Sequence, residues 1–488
     1  MNRLSLIAIA LIAICSCAQI KVPSIPLAKT EVDPNLSQFD ARFKGPAAGL
    51  SNIAESTPKS AQLQKKALGI AHNPQIDTYL NAILAKLQKS LPGTPPAARV
   101  HATPNTEFNA TSYQDGGIYI PYKVLETLES EDELASLIAH EYAHVLLEHH
   151  KTNWINSAAT LAFSAGSIYI SREIKTATQE NLLGMMLANN ATLGVSQIGL
   201  MPALTRSQEE KADQLGTDLL IKANYSFIGG LSLLSRMQSW EARNQAILEK
   251  RKTNYIDLFK KSESSFIARA IDGQLDVLEN KIAGLIRDTS THHEKSDDRS
   301  KLLRSYIKKY YAETERPALS EAPFTKAIKS HHAKEFFSGI DLAHTSTEAL
   351  QQRDFSQAMA YASAAENSPA RRVPFARHVL VNAMTMTGRQ KDAMAMLEGD
   401  VGSGDALFVD NMMLLNVLKK SHPEQALAIA QRSYDRYEDS PELLPELILL
   451  NKQMKNEFSK MKFYSICAGK AMSTANNSLL ENCNKAKG

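Results

Sequence analysis

Apolar residues recur at three- to four-residue intervals along most of the chain, a spacing typical of amphipathic helices. The first clear case begins at Pro74 and stops before Pro92, and its apolar face is formed by Ile76, Leu80, Ile83, Leu84 and Leu87. Two short strand candidates follow at residues 98–102 and 118–122, the second after a Gly-Gly turn. This pattern predicts a mainly α-helical chain, with an α+β first domain that contains a small sheet and an all-α second domain.

A second helix is predicted to begin after Ser130. The spacing Ser130-x-x-Glu133 is that of a capping box, in which each side chain satisfies a free backbone N–H at the helix start. Apolar residues then recur at helical spacing, at Leu134, Leu137, Ile138 and Val145. The helix is therefore predicted to continue through at least His149.

From about residue 340 the pattern changes to that of short amphipathic helices. Small residues at equivalent helix starts, Ala358, Ala393 and Ala426, are 35 and 33 residues apart, close to the 34-residue tetratricopeptide period. Residues 340–460 are therefore predicted to form tetratricopeptide-like helical repeats whose groove binds a partner or a substrate segment. The alternative is a helical cap that only stabilises the preceding domain. Residues 461–488 are assigned to a C-terminal tail.

The amino terminus has the pattern of an export signal. Arg3 precedes an apolar run at residues 4–14 that is too short to span a bilayer. Ile-Cys-Ser-Cys at residues 14–17 resembles a bacterial lipobox, so residues 1–17 are assigned to a signal peptide with Cys17 as the lipidation site. Cys15 is the weaker acceptor, and an ordinary cleaved signal peptide is the alternative. Ala18 in place of aspartate predicts sorting to the outer membrane, and residues 18–60 are predicted to be a linker.

Composition narrows the class of protein. The 488 residues are 43% hydrophobic and have a mean hydropathy of −0.26, which is typical of a globular chain. The 55 basic and 52 acidic residues give a formal charge of +3, so no nucleic-acid partner is expected. Cys467 and Cys483 lie outside the signal region, and in an oxidising compartment we expect them to form a disulfide. Two unrelated thiols are the alternative.

The predicted helix after Ser130 carries the sequence His-Glu-Tyr-Ala-His at residues 140–144. The i, i+4 spacing places His140 and His144 on one face, one turn apart, where both imidazoles can hold one metal ion. Glu141 lies beside them, near the water that the metal would bind. A surface helix that happens to carry two histidines is the alternative, and the apolar stripe and the capping box argue against it.

A catalytic zinc normally takes three protein ligands and keeps one position open for water, so a third ligand is required. Glu209 is the best candidate. It shares a helical face with Asp213 through i, i+4 spacing, whereas Glu210 points about 100° away. Glu209 would then ligate the metal, and Asp213 would orient a histidine. Two imidazoles and one carboxylate suit Zn²⁺, at one ion per chain. A solvated glutamate-rich helix face would be the default if the histidine helix were absent.

Three ordered motifs resemble those of a known family. They are residues 133–144, Asn109-Ala110 leading to Gly116-Gly117-Ile118, and Arg206-x-x-Glu209-x-x-Ala212-Asp213-x-x-Gly216. Over about residues 70–310 the chain resembles the HExxH zinc metallopeptidase family that includes the CAAX-prenyl endopeptidase and the periplasmic beta-barrel assembly-enhancing protease. The resemblance implies a zincin-like peptidase domain, placed at residues 61–310. It also implies roles for single residues. His140, His144 and Glu209 would be the zinc ligands, Glu141 the catalytic base, and Asp213 a residue that contacts a ligand and not the zinc itself.

The chain departs from the family pattern downstream of the third ligand. The family often shows Thr-His-Pro followed by an arginine, whereas here Thr291-His292-His293 precedes Arg299 and the proline is missing. The distance to Arg299 favours His293 as the equivalent residue, and the preceding threonine favours His292. Either histidine is a candidate latch, that is, a side chain that approaches the open coordination position of the zinc and keeps the enzyme latent. The alternative is a solvated histidine in a loop.

Residues 182–204 carry no charge over 23 positions, a length that suggests a transmembrane helix. Four of their residues argue against one: Asn189, Asn190, Gln197 and Pro202. Together with residues 154–170, the segment is interpreted as apolar helices that cover the active site or touch a membrane surface or an unfolded substrate. Buried core is the alternative for most of these positions.

Two hypotheses follow. The first is a zinc-dependent endopeptidase of the bacterial envelope, periplasmic and anchored to the outer membrane by lipid, with residues 118–122 as the edge strand that pairs with substrate. Its repeats would recruit misfolded or misassembled envelope proteins or contact the outer-membrane assembly machinery. The second is a chaperone-like or scaffold repeat protein with a latent metallopeptidase site. The presence of all expected catalytic residues favours the first.

Overall fold

The computed structural model describes residues 68–91, 95–149, 204–243 and 296–488, apart from 107, 109, 114, 115, 241, 316, 438, 439 and 474–476. Several predictions lie outside the described residues. They concern the signal peptide with Cys17, the linker at residues 18–60, the apolar segments at 154–170 and 182–203, and His292 and His293.

The first described elements are a helix and a small sheet. Helix α1 (Pro74–Lys89) is capped by Asn73, whose side chain accepts hydrogen bonds from the backbone N–H groups of residues 75 and 76. The sheet contains β1 (Arg99–Thr103), β2 (Thr111–Ser112) and β3 (Gly117–Pro121), in the order β1-β3-β2. Strand β3 runs parallel to β1 and antiparallel to β2. Both predicted strands are confirmed to within one residue.

The expectation that residues 118–122 form an edge strand is wrong. Strand β3 is paired on both sides, since Ile118 lies opposite Val100 of β1 and Ser112 of β2. Where β2 covers it, at Ile118 and Tyr119, β3 has no backbone groups left for an extended peptide. All five residues of β3 are buried, as is typical of a central strand.

Five described helices follow the sheet in the first part of the chain: α2 (Tyr122–Thr127), α3 (Glu131–Leu146), α4 (Arg206–Lys222), α5 (residues 228–240) and α6 (Ser296–Tyr310). Helix α3 is buried from Asp132 to its end and packs against α1, α4 and the sheet. It is therefore the central helix of this part of the chain, and α4 is its main neighbour.

The two ends of α3 differ from the prediction. Ser130 caps the helix by accepting a hydrogen bond from the backbone of Glu133 (3.2 Å), but the Glu133 carboxylate accepts from the backbone of Glu129 (2.7 Å), not from Ser130. The helix ends at Leu146 and does not reach His149. It stops because Glu148 has φ 53°, in the left-handed region that interrupts a right-handed helix.

The second part of the chain is a succession of helices, each packed against its neighbours. They are α7 (Ala322–Ile328), α8 (His331–Gln351), α9 (Phe355–Glu366), α10 (Pro374–Met386), α11 (Gln390–Ser403), α12 (Phe408–Ser421), α13 (Pro423–Arg436), α14 (Leu444–Gln453), α15 (Glu457–Ser473) and α16 (Asn477–Lys487). The aligned alanines Ala358, Ala393 and Ala426 are all buried at the starts of α9, α11 and α13. The mainly α-helical class with a small sheet is thus confirmed, while the tetratricopeptide assignment stays a prediction.

The helical stack shares a hydrophobic core with the first part of the chain. At the junction, Asp341 of α8 accepts hydrogen bonds from Tyr122 (2.6 Å) and Lys123 (2.9 Å) at the start of α2. His344, one turn further along α8, lies 2.7 Å from the carbonyl oxygen of Pro104. These contacts fix α8 against the end of the sheet.

Residues 461–488 are not a tail. They belong to α15 and α16, which pack against each other and against α14 because each helix buries an apolar side. The predicted disulfide between Cys467 and Cys483 is present and joins the two helices. Among the described residues, no helix combines the length and the apolar character needed to cross a membrane.

Candidate metal centre

Three side chains converge between α3 and α4. Atom Nε2 of His140 lies 3.1 Å from Nε2 of His144, and the Glu209 carboxylate oxygens lie 3.5 Å and 3.4 Å from these two nitrogens. Ligands held about 2.0–2.1 Å from a tetrahedral zinc stand about 3.3 Å apart, so the separations fit such an ion. All three side chains are buried. Two buried imidazoles and one carboxylate form a ligand set suited to zinc.

Helix geometry explains this convergence. His140 and His144 are one turn apart on α3 and therefore project from the same face. Helix α4 begins with a capping box between Thr205 and Gln208, which places Glu209 in its first turn. Gly216 has no side chain between the two helices, and a Cβ there would lie 3.1 Å from the backbone nitrogen of His140. This close approach brings Glu209 within reach of the histidines.

Asp213 contacts the other nitrogen of the first histidine. Its Oδ1 lies 2.9 Å from Nδ1 of His140, an arrangement that leaves Nε2 directed toward Glu209. Burial by itself would lower the pKa of His140, but the charge of Asp213 and hydrogen bonds with Asp213 and Glu209 raise it to about 10. The two carboxylates therefore make this point strongly favourable for a positive charge.

Arg299 of α6 balances part of that negative charge. It donates to both oxygens of Asp213, at 2.9 Å and 2.7 Å, and its Nη1 lies 3.1 Å from Oε2 of Glu209. Burial by itself would raise the pKa of Asp213, but the charges of Arg299 and His140 outweigh burial and lower it. The two-pronged contact also fixes the orientation of the Asp213 carboxylate.

The far end of α6 is held by a second carboxylate of α4. Tyr306 and Tyr311 both donate to Oδ1 of Asp218, at 2.8 Å and 2.6 Å. Asp218 is 1% exposed, so these are charge-assisted hydrogen bonds inside the protein. Helix α6 is thus attached to α4 at both ends, which fixes the position of Arg299.

Glu141 is held by the sheet. It is 5% exposed, and its Oε2 accepts a hydrogen bond of 2.8 Å from the hydroxyl of Ser112. Ser112 belongs to β2, so β2 rather than β3 is the strand linked to the Glu141 side chain. The contact orients the carboxylate beside the three candidate ligands.

His144 also has a neighbour on its second nitrogen. Its Nδ1 lies 2.8 Å from Nδ1 of His149, which is buried just beyond the end of α3. If His144 binds a metal through Nε2, its Nδ1 carries a proton that it donates to His149. The carbonyl of His149 in turn accepts a hydrogen bond from Gln208 of α4 (3.4 Å).

The structure brings together the five residues that the motifs indicated: His140, Glu141, His144, Glu209 and Asp213. Three further members of the site were missed as such: Ser112, His149 and Arg299. A histidine five positions after His144 was a visible signal for His149. Arg299 matched the arginine of the family pattern, but its contact with Asp213, 86 positions away, had no local signal. Ser112 had none either, since it lies 29 positions from Glu141.

Two histidines and a glutamate on one helix, completed by a glutamate from a second helix, form the type of site found in zinc metallopeptidases. Residues 71–248 match the model of Peptidase family M48. Over these residues the chain is similar to Peptidase family M48, and the match indicates a protease.

Curated relatives agree with this assignment. The chain is 28% identical over 160 residues to the "Putative beta-barrel assembly-enhancing protease" of Vibrio cholerae. It is also 22% and 23% identical to the "Beta-barrel assembly-enhancing protease" of Escherichia coli O157:H7 and of Yersinia pestis. Each alignment covers 32% of this chain and 31% of the relative. The chain thus matches about a third of the length of these relatives.

Proposed function

We propose that this protein is a zinc-dependent endopeptidase of the bacterial cell envelope. The observation that carries the proposal is the meeting of His140, His144 and Glu209 within 4.8 Å of one another, beside the buried carboxylate of Glu141. These three residues would hold one zinc ion per chain. When bound, zinc would supply Lewis acidity and lower the pKa of its bound water to about 7.

In the proposed mechanism, Glu141 moves the protons. Its carboxylate takes a proton from the attacking water and later delivers it to the nitrogen of the leaving amine. Ser112 donates to one oxygen of Glu141, at 2.8 Å, and this contact limits rotation of the carboxylate. A base that is already held in the reactive orientation loses little entropy when it takes the proton. Such orientation of the reacting groups contributes much of an enzyme's rate enhancement.

The remaining residues hold the ligands in place. Asp213 orients His140, and His149 contacts the equivalent nitrogen of His144. Arg299 offsets one of the two negative charges of Asp213 and Glu209, so the site keeps a net negative charge that favours a divalent cation. Partners behind metal ligands typically change metal affinity or activity by about 10–100-fold when they are removed.

The envelope setting and the substrates are part of the proposal. The export-type amino terminus and lipobox support a periplasmic lipoprotein anchored through Cys17, and the disulfide suits an oxidising compartment. The names of the relatives refer to the enhancement of beta-barrel assembly. We therefore propose misfolded or misassembled envelope proteins as substrates. The helical stack would present them to the site or contact the outer-membrane assembly machinery.

The test combines metal content with cleavage of casein by the purified protein. Wild type should bind about one zinc per chain and degrade casein, and a chelator should abolish cleavage. Glu141→Gln should retain zinc and lose activity, whereas His140→Ala should lose both. Glu210→Gln is the matched control, since this neighbouring glutamate contacts Gln214 and lies outside the ligand cluster.

The results also distinguish the alternative, a chaperone-like scaffold with a latent metallopeptidase site. A wild-type protein that binds zinc but cleaves nothing would favour the scaffold. So would a Glu141→Gln variant that fully complements a deletion strain. A protein that binds no metal would refute the central proposal.

A further inference from the structure

Helix α15 has apolar residues on two opposite sides. Phe463, Cys467 and Ala471 are buried against the neighbouring helices. On the other side, Phe458 is 82% exposed and Met472 is 71% exposed. The outer side of a surface helix is normally polar, because it faces water. The exposed apolar residues of α15 therefore call for an explanation.

These residues share one face of the helix with Ser465 and Gly469. Five exposed positions, Phe458, Met461, Ser465, Gly469 and Met472, recur at intervals of three and four residues. At about 100° per residue they lie within roughly 80° of one another, on the side opposite the buried residues. We call these five residues the outer face of α15. It contains no charged residue. Met454, also exposed, precedes it in the turn after α14.

Large exposed apolar side chains are concentrated here. In the part of the chain that the structure describes, six such side chains are more than about a third exposed. Four of them lie between residues 454 and 472, and the other two, Leu319 and Val417, lie elsewhere on the surface. Clustering of this kind indicates an interaction surface, whereas single exposed apolar residues are ordinary.

The same region is strongly basic. Residues 452–488 contain seven lysines, two glutamates and no other charged residue, a formal charge of +5, whereas the whole chain carries +3. Both glutamates are paired with lysines of the same helix, Glu457 with Lys460 and Glu481 with Lys485. Lys455 and Lys462 are exposed, three residues before and four residues after Phe458. Positive charge therefore lies beside the Phe458 end of the apolar face.

The face is also held rigidly. Helix α15 packs against both α14 and α16, and the disulfide joins buried Cys467 to α16. The outer face is therefore already ordered before binding, so binding does not include the entropy cost of ordering it.

We propose that the outer face of α15 and the lysines beside it bind the surface of a membrane that contains anionic lipids. A helix that lies in a membrane interface buries an apolar stripe among the lipid chains and places lysines at the anionic headgroups. The outer face matches this description in both respects. A specific protein interface needs polar groups that fix its register, and the outer face offers only the hydroxyl of Ser465. The proposal does not depend on peptidase activity.

The experiment measures binding of the purified chain to vesicles by co-flotation. Every sample carries Cys17→Ala, so that an acyl group at this position does not contribute. At about 0.1 M salt, binding should be at least about tenfold stronger to vesicles with half phosphatidylglycerol than to pure phosphatidylcholine. The triple variant Phe458→Ser, Met461→Ser, Met472→Ser should weaken binding by about tenfold or more, as should the double variant Lys455→Gln, Lys462→Gln.

Two matched controls and one second measurement complete the design. Val417→Ser and Lys391→Gln change an exposed apolar residue and an exposed lysine elsewhere, and both should leave binding unchanged. Equal binding to neutral and anionic vesicles, or full binding by the triple variant, would overturn the proposal. So would light scattering that shows a dimer for wild type and a monomer for the triple variant, because the face would then join two copies. If the triple variant does not fold, Phe458→Ser alone supplies the comparison.

Discussion

At the scale of single residues, each imidazole of the candidate metal centre has a different neighbour on its second nitrogen. His140 contacts a carboxylate, Asp213, and His144 contacts another imidazole, His149. An anionic neighbour makes its histidine a better electron donor, whereas a neutral one mainly orients the ring. His149 should therefore act as a positioning residue, and its removal can be separated from loss of a ligand.

Replacement of His149 should weaken metal binding without abolishing it. His149→Leu removes the acceptor for Nδ1–H of His144, and zinc affinity should fall by about 10–100-fold. His149→Asn provides an amide oxygen that can accept the same hydrogen bond, so it should recover much of the affinity. Competition with a chromophoric chelator measures both variants. Equal affinity for wild type and His149→Leu would contradict this role.

His101 should make stability depend on pH. It stacks on Tyr119 within the sheet, and burial, together with the charges of Arg99 and His72, lowers its pKa to about 4. Its unfolded pKa is about 6.5, so the folded state resists protonation, and stability falls as pH drops from about 6.5 toward 4. The largest loss from this residue is about 3 kcal/mol.

His101→Phe keeps the stacking and removes the titration. Wild type should therefore lose more stability than this variant between pH 7.5 and pH 5, as measured by urea midpoints. The difference between the two proteins isolates His101 from other groups that titrate in the same range. Parallel losses in both proteins would show that His101 does not contribute.

At the scale of elements, the site depends on how closely α4 approaches α3. Gly216→Ala would place a Cβ 3.1 Å from the backbone nitrogen of His140 and 3.2 Å from its Cα, so the two helices must move apart by a few tenths of an ångström. We expect a loss of about 1–3 kcal/mol in stability, since an overpacked contact is costly. Weaker zinc binding should accompany it, because Glu209 moves with α4.

Gly399→Ala is the matched control for this prediction. Gly399 lies within α11, and a Cβ there would meet no atom within 4 Å. Alanine should stabilise this helix by about 0.5–1 kcal/mol. Urea unfolding of the two variants should thus show changes of opposite sign. A stabilised Gly216→Ala protein with unchanged zinc affinity would exclude a tight contact at that point.

The type and approximate position of the helices and strands were predicted from the sequence more accurately than the residues at which they end and the elements with which they pair. The start of α1 at Pro74 and both strands followed from local patterns. The end of α3 did not, because the left-handed backbone of Glu148 has no counterpart in apolar periodicity. The central position of β3 was missed because the two-residue β2 is too short to give a pattern, and strand order depends on pairing between distant segments.

At the scale of the whole molecule, the helical stack and the first part of the chain are joined through one hydrophobic core. Asp341→Ala removes the acceptor for Tyr122 and Lys123 at their junction. We expect a loss of about 1–3 kcal/mol, and a single unfolding transition in both wild type and variant. Calorimetry checks both points.

Glu335→Ala, an exposed position on the same helix, should change stability by less than about 0.5 kcal/mol. Two separate transitions in wild type would mean that the two parts unfold independently. The shared core would then contribute little to cooperativity.

Local sequence patterns were enough to predict the mainly helical class, the helix that carries His140 and His144, and Glu209 as the candidate third ligand. These features depend on periodicity and on i, i+4 spacing, which operate within a few turns of one chain segment. Cysteine placement similarly indicated the pair Cys467 and Cys483, which the structure joins.

Contacts between distant residues became visible only in the folded chain. Folding brought Ser112 to Glu141, Arg299 to Asp213 and His149 to His144, and it left Phe458 and Met472 exposed on a basic surface. The physical reason is that packing joins residues far apart in the chain, and burial is a property of the whole fold. An apolar residue at helical spacing has the same pattern whether it faces the core or the solvent, and the arrangement of neighbouring helices decides between the two.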